Sequence, residues 1–257
     1  MLTIMGIVKR VRWKFLLAVF KIRRFIRRWF GMRRLDYGQK DIFILTDTIR
    51  EYETRARSVV KEPKTVSWIE QHGGANAVLY DIGANVGAYS LIAAARGVRV
   101  VAFEPAHQNI YKLHENILLN KLNEKITVVP LILAANGGIT RSFVEDRNFG
   151  ASHSFSFHEQ SSEALPSQAL LAMERDLCIK TFSLPEPTMM KIDVDGAEIE
   201  VLKGAETLLY NPKLKHILIE VDDNNLEIIE RIRNTGFKLV DEERAGDCNT
   251  NYILERP

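Results

Sequence analysis

An acidic residue followed by a glycine-rich turn is the sharpest chemical signal in the chain. Within residues 78–90 an apolar run ends in an acid, and a short turn then opens a helical pattern; the residues concerned are Asp81, Gly83, Asn85 and Gly87. Glycine lets the backbone come close to a ligand. A dinucleotide site needs G-x-G-x-x-G with a phosphate at the helix N-terminus, and the second glycine is missing here. The acid repels pyrophosphate but suits the cationic amino acid end of S-adenosylmethionine. A generic strand-to-helix turn is the alternative.

The next apolar run, residues 99–103, also ends in an acid, Glu104. A carboxylate about twenty residues beyond the glycine turn is where nucleotide-binding folds hold the ribose hydroxyls. The spacing therefore predicts that Glu104 binds a ribose. A solvated acid at a strand end is the alternative.

A third apolar run ends in Asp193. Methyl transfer to an alcohol is an in-line displacement in which a base takes the hydroxyl proton. We predict Asp193 as that base, with a pKa raised by partial burial. His153 and His158, in a polar stretch, are the other candidate proton acceptors. An aspartate that only caps the following helix is the alternative reading.

Carboxylates could also hold Mg²⁺ and so lower the pKa of a bound hydroxyl. Six acids near the ends of two neighbouring strand candidates are possible ligands: Asp193, Asp195, Glu198, Glu220, Asp222 and Asp223. Because side chains alternate along a strand, we expect few of them to converge and predict no metal ligands. Loss of activity in EDTA would reverse that prediction.

The elements that must position these residues alternate between short apolar runs and helical patterns. Strands are predicted at residues 77–82, 99–103, 126–133, 189–194, 216–221, 237–240 and 251–254, and helices at 88–96, 108–120, 198–210 and 225–235. Such alternation is typical of a mostly parallel sheet covered on both faces. The last two strands are close enough in the chain to form a hairpin at one edge. We predict a Rossmann-like domain over residues 76–257, preceded by a cap at 35–75 that is helical over 41–72.

Residues 136–187 break the alternation. They contain strand-like pieces at 141–144, 154–157 and 178–183 and a polar segment around 161–168. In a doubly wound fold, ligands bind at the carboxyl ends of the strands. We therefore predict that this insertion is a lid over the substrate.

Taken together, several strings resemble the FkbM family of methyltransferases. They are DIGANVGAYS at residues 81–90, AFEP at 102–105, MKIDVDGAE at 190–198, VLKGA at 201–205 and the lead-in EPKTVSWI at 62–69. The resemblance covers about residues 60–222. It implies a class I methyltransferase fold with a seven-stranded, mostly parallel sheet and one antiparallel edge strand. It also implies S-adenosylmethionine as donor and O-methylation of hydroxyls, often on sugars.

The resemblance also assigns positions in the cofactor site. It implies that Asp81, Gly83, Asn85 and Gly87 line the methionine side and that Glu104 lines the ribose. Glu62 and Asn136 complete the predicted set of cofactor-binding residues. Two positions depart from the family pattern: Asp195 stands where many members have Glu, and Ser183 where many have Asp.

The charge is distributed unevenly. Of 35 Lys and Arg residues, 11 lie in residues 1–34, which contain no acid, so 24 remain against 33 acids in the rest of the chain. Within this leader, apolar residues recur at steps of three and four, at Ile4, Val8, Val11, Phe15, Val19, Ile22, Ile26 and Trp29. The pattern predicts an amphipathic helix lying on an anionic membrane surface, since the apolar run is too short to span one. Docking on the protein's own body or on a partner, nucleic-acid binding and a mitochondrial presequence remain alternatives.

We therefore predict a cytoplasmic, peripherally membrane-associated O-methyltransferase acting on a sugar hydroxyl of a glycan or glycolipid. The two cysteines, Cys178 and Cys248, suit a reducing compartment. The acidic main body argues against nucleic acid as a partner. A small-molecule acceptor is one alternative. A membrane-tethered scaffold that has lost catalysis is another, because fold alone does not prove activity.

Overall fold

A computed structural model describes residues 4–143, 155–156, 167–194, 196–245 and 248–257. The helices, in chain order, are α1 (Ile4–Gly31), α2 (Ile49–Glu51), α3 (Ser58–Lys61), α4 (Pro63–His72), α5 (Ala88–Ala95), α6 (His107–Leu119), α7 (Arg175–Phe182), α8 (Glu198–Gly204), α9 (Glu206–Leu209) and α10 (Glu227–Arg233), with a π-helical segment at Tyr52–Ala56. The strands are β1 (Met32–Arg34), β2 (Phe43–Leu45), β3 (Val78–Ile82), β4 (Arg99–Phe103), β5 (Ile126–Val129), β6 (Ile132–Leu133), β7 (Gly138–Phe143), β8 (Phe155–Ser156), β9 (Ser167–Met173), β10 (Met189–Ile192), β11 (His216–Asp222), β12 (Lys238–Arg244) and β13 (Asn249–Glu255).

The main sheet has seven strands in the order β12-β13-β11-β10-β3-β4-β5. Strands β11, β10, β3, β4 and β5 pair in parallel, whereas β13 runs antiparallel to both β11 and β12. The hairpin of β12 and β13 forms one edge, as predicted. The structure thus confirms the Rossmann-like sheet predicted from the alternating pattern.

The strand order also locates the ligand crevice. From β3 the chain moves outward to β4 and β5, and β10 then returns to the other side of β3. At such a reversal the connections leave the sheet on opposite faces, so a crevice opens at the carboxyl ends of β3 and β10.

Both faces of the sheet are buried by helices, so its central strands are almost continuously apolar. Along β3, Tyr80 and Ile82 pack into one apolar cluster, and Leu79 packs into the other on the opposite face. Two charged residues interrupt this pattern, Asp81 in β3 and Lys191 in β10, and the register places them opposite each other. Both side chains are 1% exposed.

The cap differs from the prediction that residues 41–72 are helical throughout. Residues 43–45 form strand β2, which pairs with β1, and helices begin only at Ile49. The backbone N–H groups of Phe43 and Leu45 donate to the side chains of Asn120, which follows α6, and Asn116 within it. The alternation of buried Ile42 and Ile44 with their half-buried neighbours was the period-two signal of a strand.

The insertion forms a second, four-stranded sheet in the order β6-β9-β7-β8. The prediction of a strand at residues 178–183 was wrong, because this stretch belongs to helix α7. Arg175 and Cys178 are buried and Ile179 is half-buried, and this spacing of three and four residues is helical rather than alternating. Strand β9 includes residues that had been read as part of a polar segment.

The leader forms the predicted helix, α1. Where its side chains are described, the apolar stripe is open to solvent, with Phe15, Ile22 and Trp29 each more than half exposed. Trp13 and Phe20 are exposed as well and lie on the opposite side of the stripe. Over the described part of the chain, no helix combines the length and the apolar character that crossing a bilayer requires.

Candidate active site

A cleft opens at the carboxyl ends of β3, β4, β5 and β10. Its open space amounts to about 490 Å³ with the mouth included. One part is apolar and is lined by Phe103, Leu131 and Leu133. The polar groups along it include Glu104 and Asp193. The shape and lining suit a ligand that is apolar at one end and polar at the other.

The glycine turn is held tightly against neighbouring elements. Gly83 lines the cleft and has φ +84°, and a Cβ at this position would lie 1.8 Å from the carbonyl oxygen of Asp193. Gly87 has φ +92°, and a Cβ there would lie 2.3 Å from Leu113 Cδ1 on α6. Gly87 is not among the described residues that line the cleft. The two glycines were predicted to let a ligand approach the backbone. These contacts show that they also leave room for the end of β10 and for α6.

Glu104 is fixed at the floor of the cleft by three N–H donors. Its Oε2 accepts a hydrogen bond from the backbone of Asn85 at 2.8 Å, and its Oε1 accepts from the backbone of Ala106 at 2.9 Å and from Asn109 Nδ2 at 3.4 Å. Burial raises the pKa of Glu104 to about 7, although these hydrogen bonds act in the opposite direction. A fixed carboxylate here can accept hydrogen bonds from a pair of hydroxyls.

Asp81 lies behind the turn rather than on the cleft surface. Its Oδ2 accepts a hydrogen bond from Ser90 Oγ at 2.5 Å, and its Oδ1 has no hydrogen-bond partner among the described residues. Burial raises the pKa of Asp81, while the charge of Lys191 lowers it. The predicted direct contact with the cofactor therefore requires the side chain or the turn to move.

Lys191 is a further residue of this cluster, and the sequence did not single it out. Its Nζ lies 2.7 Å from Asp193 Oδ2 and 5.0 Å from the ring centre of Tyr89. Burial would lower the pKa of Lys191, but the charges of Asp193, Asp81 and Glu62 outweigh it and raise the pKa. Lys191 is thus a buried cation. Its signal in the sequence was a lone lysine inside an otherwise apolar strand.

Asp193 lies where the sequence predicts it, at the end of β10 and on the wall of the cleft. Its electrostatics differ from the prediction. Burial alone would raise the pKa of Asp193, but the charge and hydrogen bond of Lys191 lower it below its ordinary value. Lys61 and Arg55 of the cap act in the same direction. Asp193 is therefore an anchored anion.

The cap brings Glu62 to this cluster. Glu62 precedes α4, is 1% exposed, and contacts Lys61 Nζ at 2.8 Å and Thr65 Oγ1 at 3.2 Å. On the opposite side, burial and the charge of Asp193 raise the pKa of Glu220 to about 7, and Asn249 donates to its carboxylate at 2.7 Å. Four acids thus surround Lys191, namely Glu62, Asp81, Asp193 and Glu220.

The remaining predicted residues lie elsewhere. Asn136 is exposed in the bend after β6 and is not among the described residues that line the cleft. Ser183 ends α7 in the left-handed conformation, with φ +51°. His153, His158 and Asp195 lie outside the described residues. In the ranges that the structure covers, the acids considered as magnesium ligands form no group of three with converging ligand atoms.

The pattern described by the Methyltransferase FkbM domain matches residues 81–239, more than half of the chain. The chain belongs to the FkbM methyltransferase family. Within the FkbM domain lie the glycine turn, Glu104 and the Lys191–Asp193 pair. As a member of the family, the chain takes S-adenosylmethionine as its cofactor.

Among curated proteins, the FkbM chain is similar to the hexuronic acid methyltransferase AglP of Haloferax volcanii. The two are 26% identical over 167 residues, which cover 65% of each chain. The match therefore spans just under two thirds of that relative's length. Among solved structures, the precorrin-6y C5,15-methyltransferase of Geobacter metallireducens gives a TM-score of 0.45 at 14% identity, covering 76% of this chain and 86% of that one. The tRNA methyltransferase TrmK of B. subtilis gives 0.45 at 13% identity, covering 76% and 66%.

The residues present fit S-adenosylmethionine. The apolar part of the cleft suits an adenine ring, and Glu104 beside it offers acceptors for ribose hydroxyls. The cofactor carries a sulfonium and an ammonium, and the cluster of four acids around one buried lysine supplies opposing negative charge.

Proposed function

We propose that this FkbM protein transfers a methyl group from S-adenosylmethionine to a hydroxyl of a sugar acceptor in a glycan or glycolipid. The observation that carries the proposal is the carboxylate of Asp193, which lines the cleft while Lys191 holds one of its oxygens at 2.7 Å. The hexuronic acid methyltransferase AglP, similar over 167 residues, supports a saccharide acceptor.

S-adenosylmethionine, when bound, supplies an electrophilic methyl carbon on a sulfonium leaving group. The acceptor oxygen forms a bond to that carbon as the carbon–sulfur bond breaks, and the hydroxyl proton leaves. Asp193 accepts the hydroxyl hydrogen bond and so aligns the oxygen for attack. An alcohol becomes strongly acidic only as the new bond forms, so an anchored carboxylate of low pKa can take the proton late in the step. Lys191 keeps Asp193 ionised and in place.

Asp193→Asn tests this role. We expect at least a hundredfold loss of kcat, because the asparagine amide cannot accept the proton. The dissociation constant of S-adenosylmethionine should change by only a few fold. Turnover is measured as S-adenosylhomocysteine released with a panel of uronic acids and neutral glycosides. Asp222→Asn, at the end of the neighbouring strand β11, is the matched control. Full turnover in Asp193→Asn would move the proton-accepting role to His153 or His158.

The same measurements separate the alternatives. Turnover with free small molecules but with no saccharide would favour a small-molecule acceptor. Binding of S-adenosylmethionine without turnover on any acceptor would favour the catalytically degenerate scaffold. A loss of activity when EDTA is added would indicate that a metal ion takes part in the mechanism.

We further propose that α1 holds the enzyme on an anionic membrane surface, beside a lipid-linked acceptor. The support is the exposed apolar stripe together with the acid-free basic composition of the leader. An interfacial helix buries such a stripe at the acyl boundary while its Lys and Arg residues meet the headgroups. Trp13 and Phe20 are exposed on the opposite side of the helix and do not belong to this stripe.

A further inference from the structure

Two histidines and a glutamate meet at the end of the sheet opposite the cleft, where β11 begins. His72 is the last residue of α4, His216 is the first residue of β11, and Glu255 is the last residue of β13. The antiparallel register of β11 and β13 places His216 directly opposite Glu255. Helix α4 brings His72 to the same point. Three separate elements therefore contribute one side chain each.

The three ligand-type atoms are spaced like those of a metal site. His72 Nε2 lies 2.8 Å from Glu255 Oε1, and His216 Nδ1 lies 3.5 Å from the same oxygen. All three atoms are within 4.8 Å of one another. In a tetrahedral zinc site with bonds of about 2.0–2.1 Å, neighbouring ligand atoms are about 3.3 Å apart. The two measured separations from Glu255 lie on either side of that value.

The two imidazole nitrogens of this cluster have no well-directed hydrogen-bond partner among the described residues. The two imidazole rings stack with their centres 3.8 Å apart, so two positive charges there would repel. Burial and the neighbouring His72 lower the pKa of His216, while Glu255 acts in the opposite direction and Lys215 lowers it further. His72 Nε2 and His216 Nδ1 are both shielded from solvent, and neither makes a well-directed hydrogen bond among the described residues. Lone pairs of neutral imidazoles that face a carboxylate repel it unless a cation lies between them.

We propose that His72, His216 and Glu255 bind Zn²⁺, with water at the fourth position. Two imidazoles and one carboxylate form a ligand set that zinc accepts, whereas Mg²⁺ and Ca²⁺ prefer oxygen ligands alone. The metal clamps the end of α4 to the sheet. The ten residues of α4 span about 15 Å, and Glu62 precedes its other end, so the clamp also steadies the cap beside the cleft.

Titration of the metal-stripped full-length protein with Zn²⁺, in competition with a chromophoric chelator, tests the site. We expect one zinc per chain at micromolar or tighter affinity, and at least a hundredfold weaker binding in His72→Ala and in His216→Ala. Glu255→Gln should bind zinc more weakly than the wild type. His114→Ala, an exposed histidine on α6, should bind as the wild type does. Mg²⁺ should not compete.

Substitution by Co²⁺ adds a spectroscopic signature. A site with two imidazoles and a carboxylate should give visible d–d bands of tetrahedral intensity, absent in His216→Ala. Circular dichroism and S-adenosylmethionine binding of each variant establish that it is folded. Absence of stoichiometric zinc binding, or binding that is equal in the wild type and the three ligand variants, would overturn the proposal. Neither outcome depends on the acceptor of methyl transfer.

Discussion

At the residue scale, Lys191 governs the charge of the cleft because it is a buried cation among four acids. Its Nζ holds Asp193 Oδ2 at 2.7 Å, and the register places it opposite Asp81. A buried lysine in this setting does not serve as a proton acceptor, since its neighbours stabilise the protonated form. Its effect is on Asp193, which stays ionised despite burial.

Lys191→Met should lower kcat at least tenfold and change the pH profile. Without the lysine, burial and the nearby acids Asp81 and Glu220 raise the pKa of Asp193, while Lys61 and Arg55 of the cap oppose them. Activity would then fall as the pH drops through the neutral range, where the wild type keeps Asp193 ionised. The measurement is the pH dependence of kcat.

Lys191→Arg keeps the positive charge and is the control for that variant. Removal of one partner of a buried ion pair costs about 3–5 kcal/mol, so thermal unfolding of both variants is recorded alongside activity. An unchanged pH profile in a folded Lys191→Met protein would contradict the role.

Glu104→Gln should weaken S-adenosylmethionine binding about tenfold to a hundredfold, because a hydrogen bond to a charged group contributes about 1.5–3 kcal/mol.

The pKa of Glu104 in the folded protein, about 7, lies above its ordinary value of 4.5. Ionisation therefore opposes folding, and this group's contribution to stability falls as the pH rises from about 4.5 to 7. In the variant, unfolding at pH 8 should be no easier than in the wild type. Calorimetry between pH 6 and 8 measures both the affinity for S-adenosylmethionine and the stability of the variant. Affinity equal to that of the wild type would rule out ribose binding by Glu104.

At the element scale, the turn after β3 is shaped by the strand beside it as much as by any ligand. Gly83 has a left-handed φ, and the end of β10 occupies the space of its absent side chain. The turn and the end of β10 therefore pack as a unit that joins the cofactor side of the cleft to Asp193.

Gly83→Ala should lower the free energy of unfolding by about 2–4 kcal/mol. The backbone at the end of β10 must shift, and alanine at position 83 must adopt a strained left-handed conformation. Gly236→Ala is the matched control. Gly236 also has a left-handed φ, +99°, but its nearest neighbour is Arg256 Nε at 3.8 Å, so only the conformational cost of about 1–2 kcal/mol applies. Denaturant unfolding compares the two, and equal losses would show that the contact with Asp193 is unimportant.

At the scale of the whole molecule, the chain combines a basic helix with an acidic body. Residues 1–34 contain no acid, whereas acids outnumber bases in the rest of the chain. On the proposed membrane association, an anionic surface attracts the helix and repels the body, and the cleft would lie near the surface without being drawn into it.

A full-length variant with Lys14→Gln, Lys21→Gln and Arg23→Gln should bind anionic vesicles about a hundredfold more weakly, since each cation contributes about 1 kcal/mol near the surface. These three side chains are exposed, so the helix itself should be retained. Sedimentation with phosphatidylserine vesicles measures binding, with neutral vesicles as the control. Equal sedimentation of the wild type and the variant would indicate that α1 docks on a protein instead.

The sequence by itself determined the sheet, the family and the acids at the strand ends. These features follow from local patterns, because apolar periodicity and a turn motif are set by neighbours along the chain. Residues 43–45 and 178–183 were assigned wrongly, since short apolar runs fit either period until their packing partners are known. Only the tertiary structure decided the charge state of Asp193, the burial of Asp81, the packing of Gly83 and the meeting of His72, His216 and Glu255. Each of these depends on groups far apart in the chain, whose distances are set by strand register and helix docking.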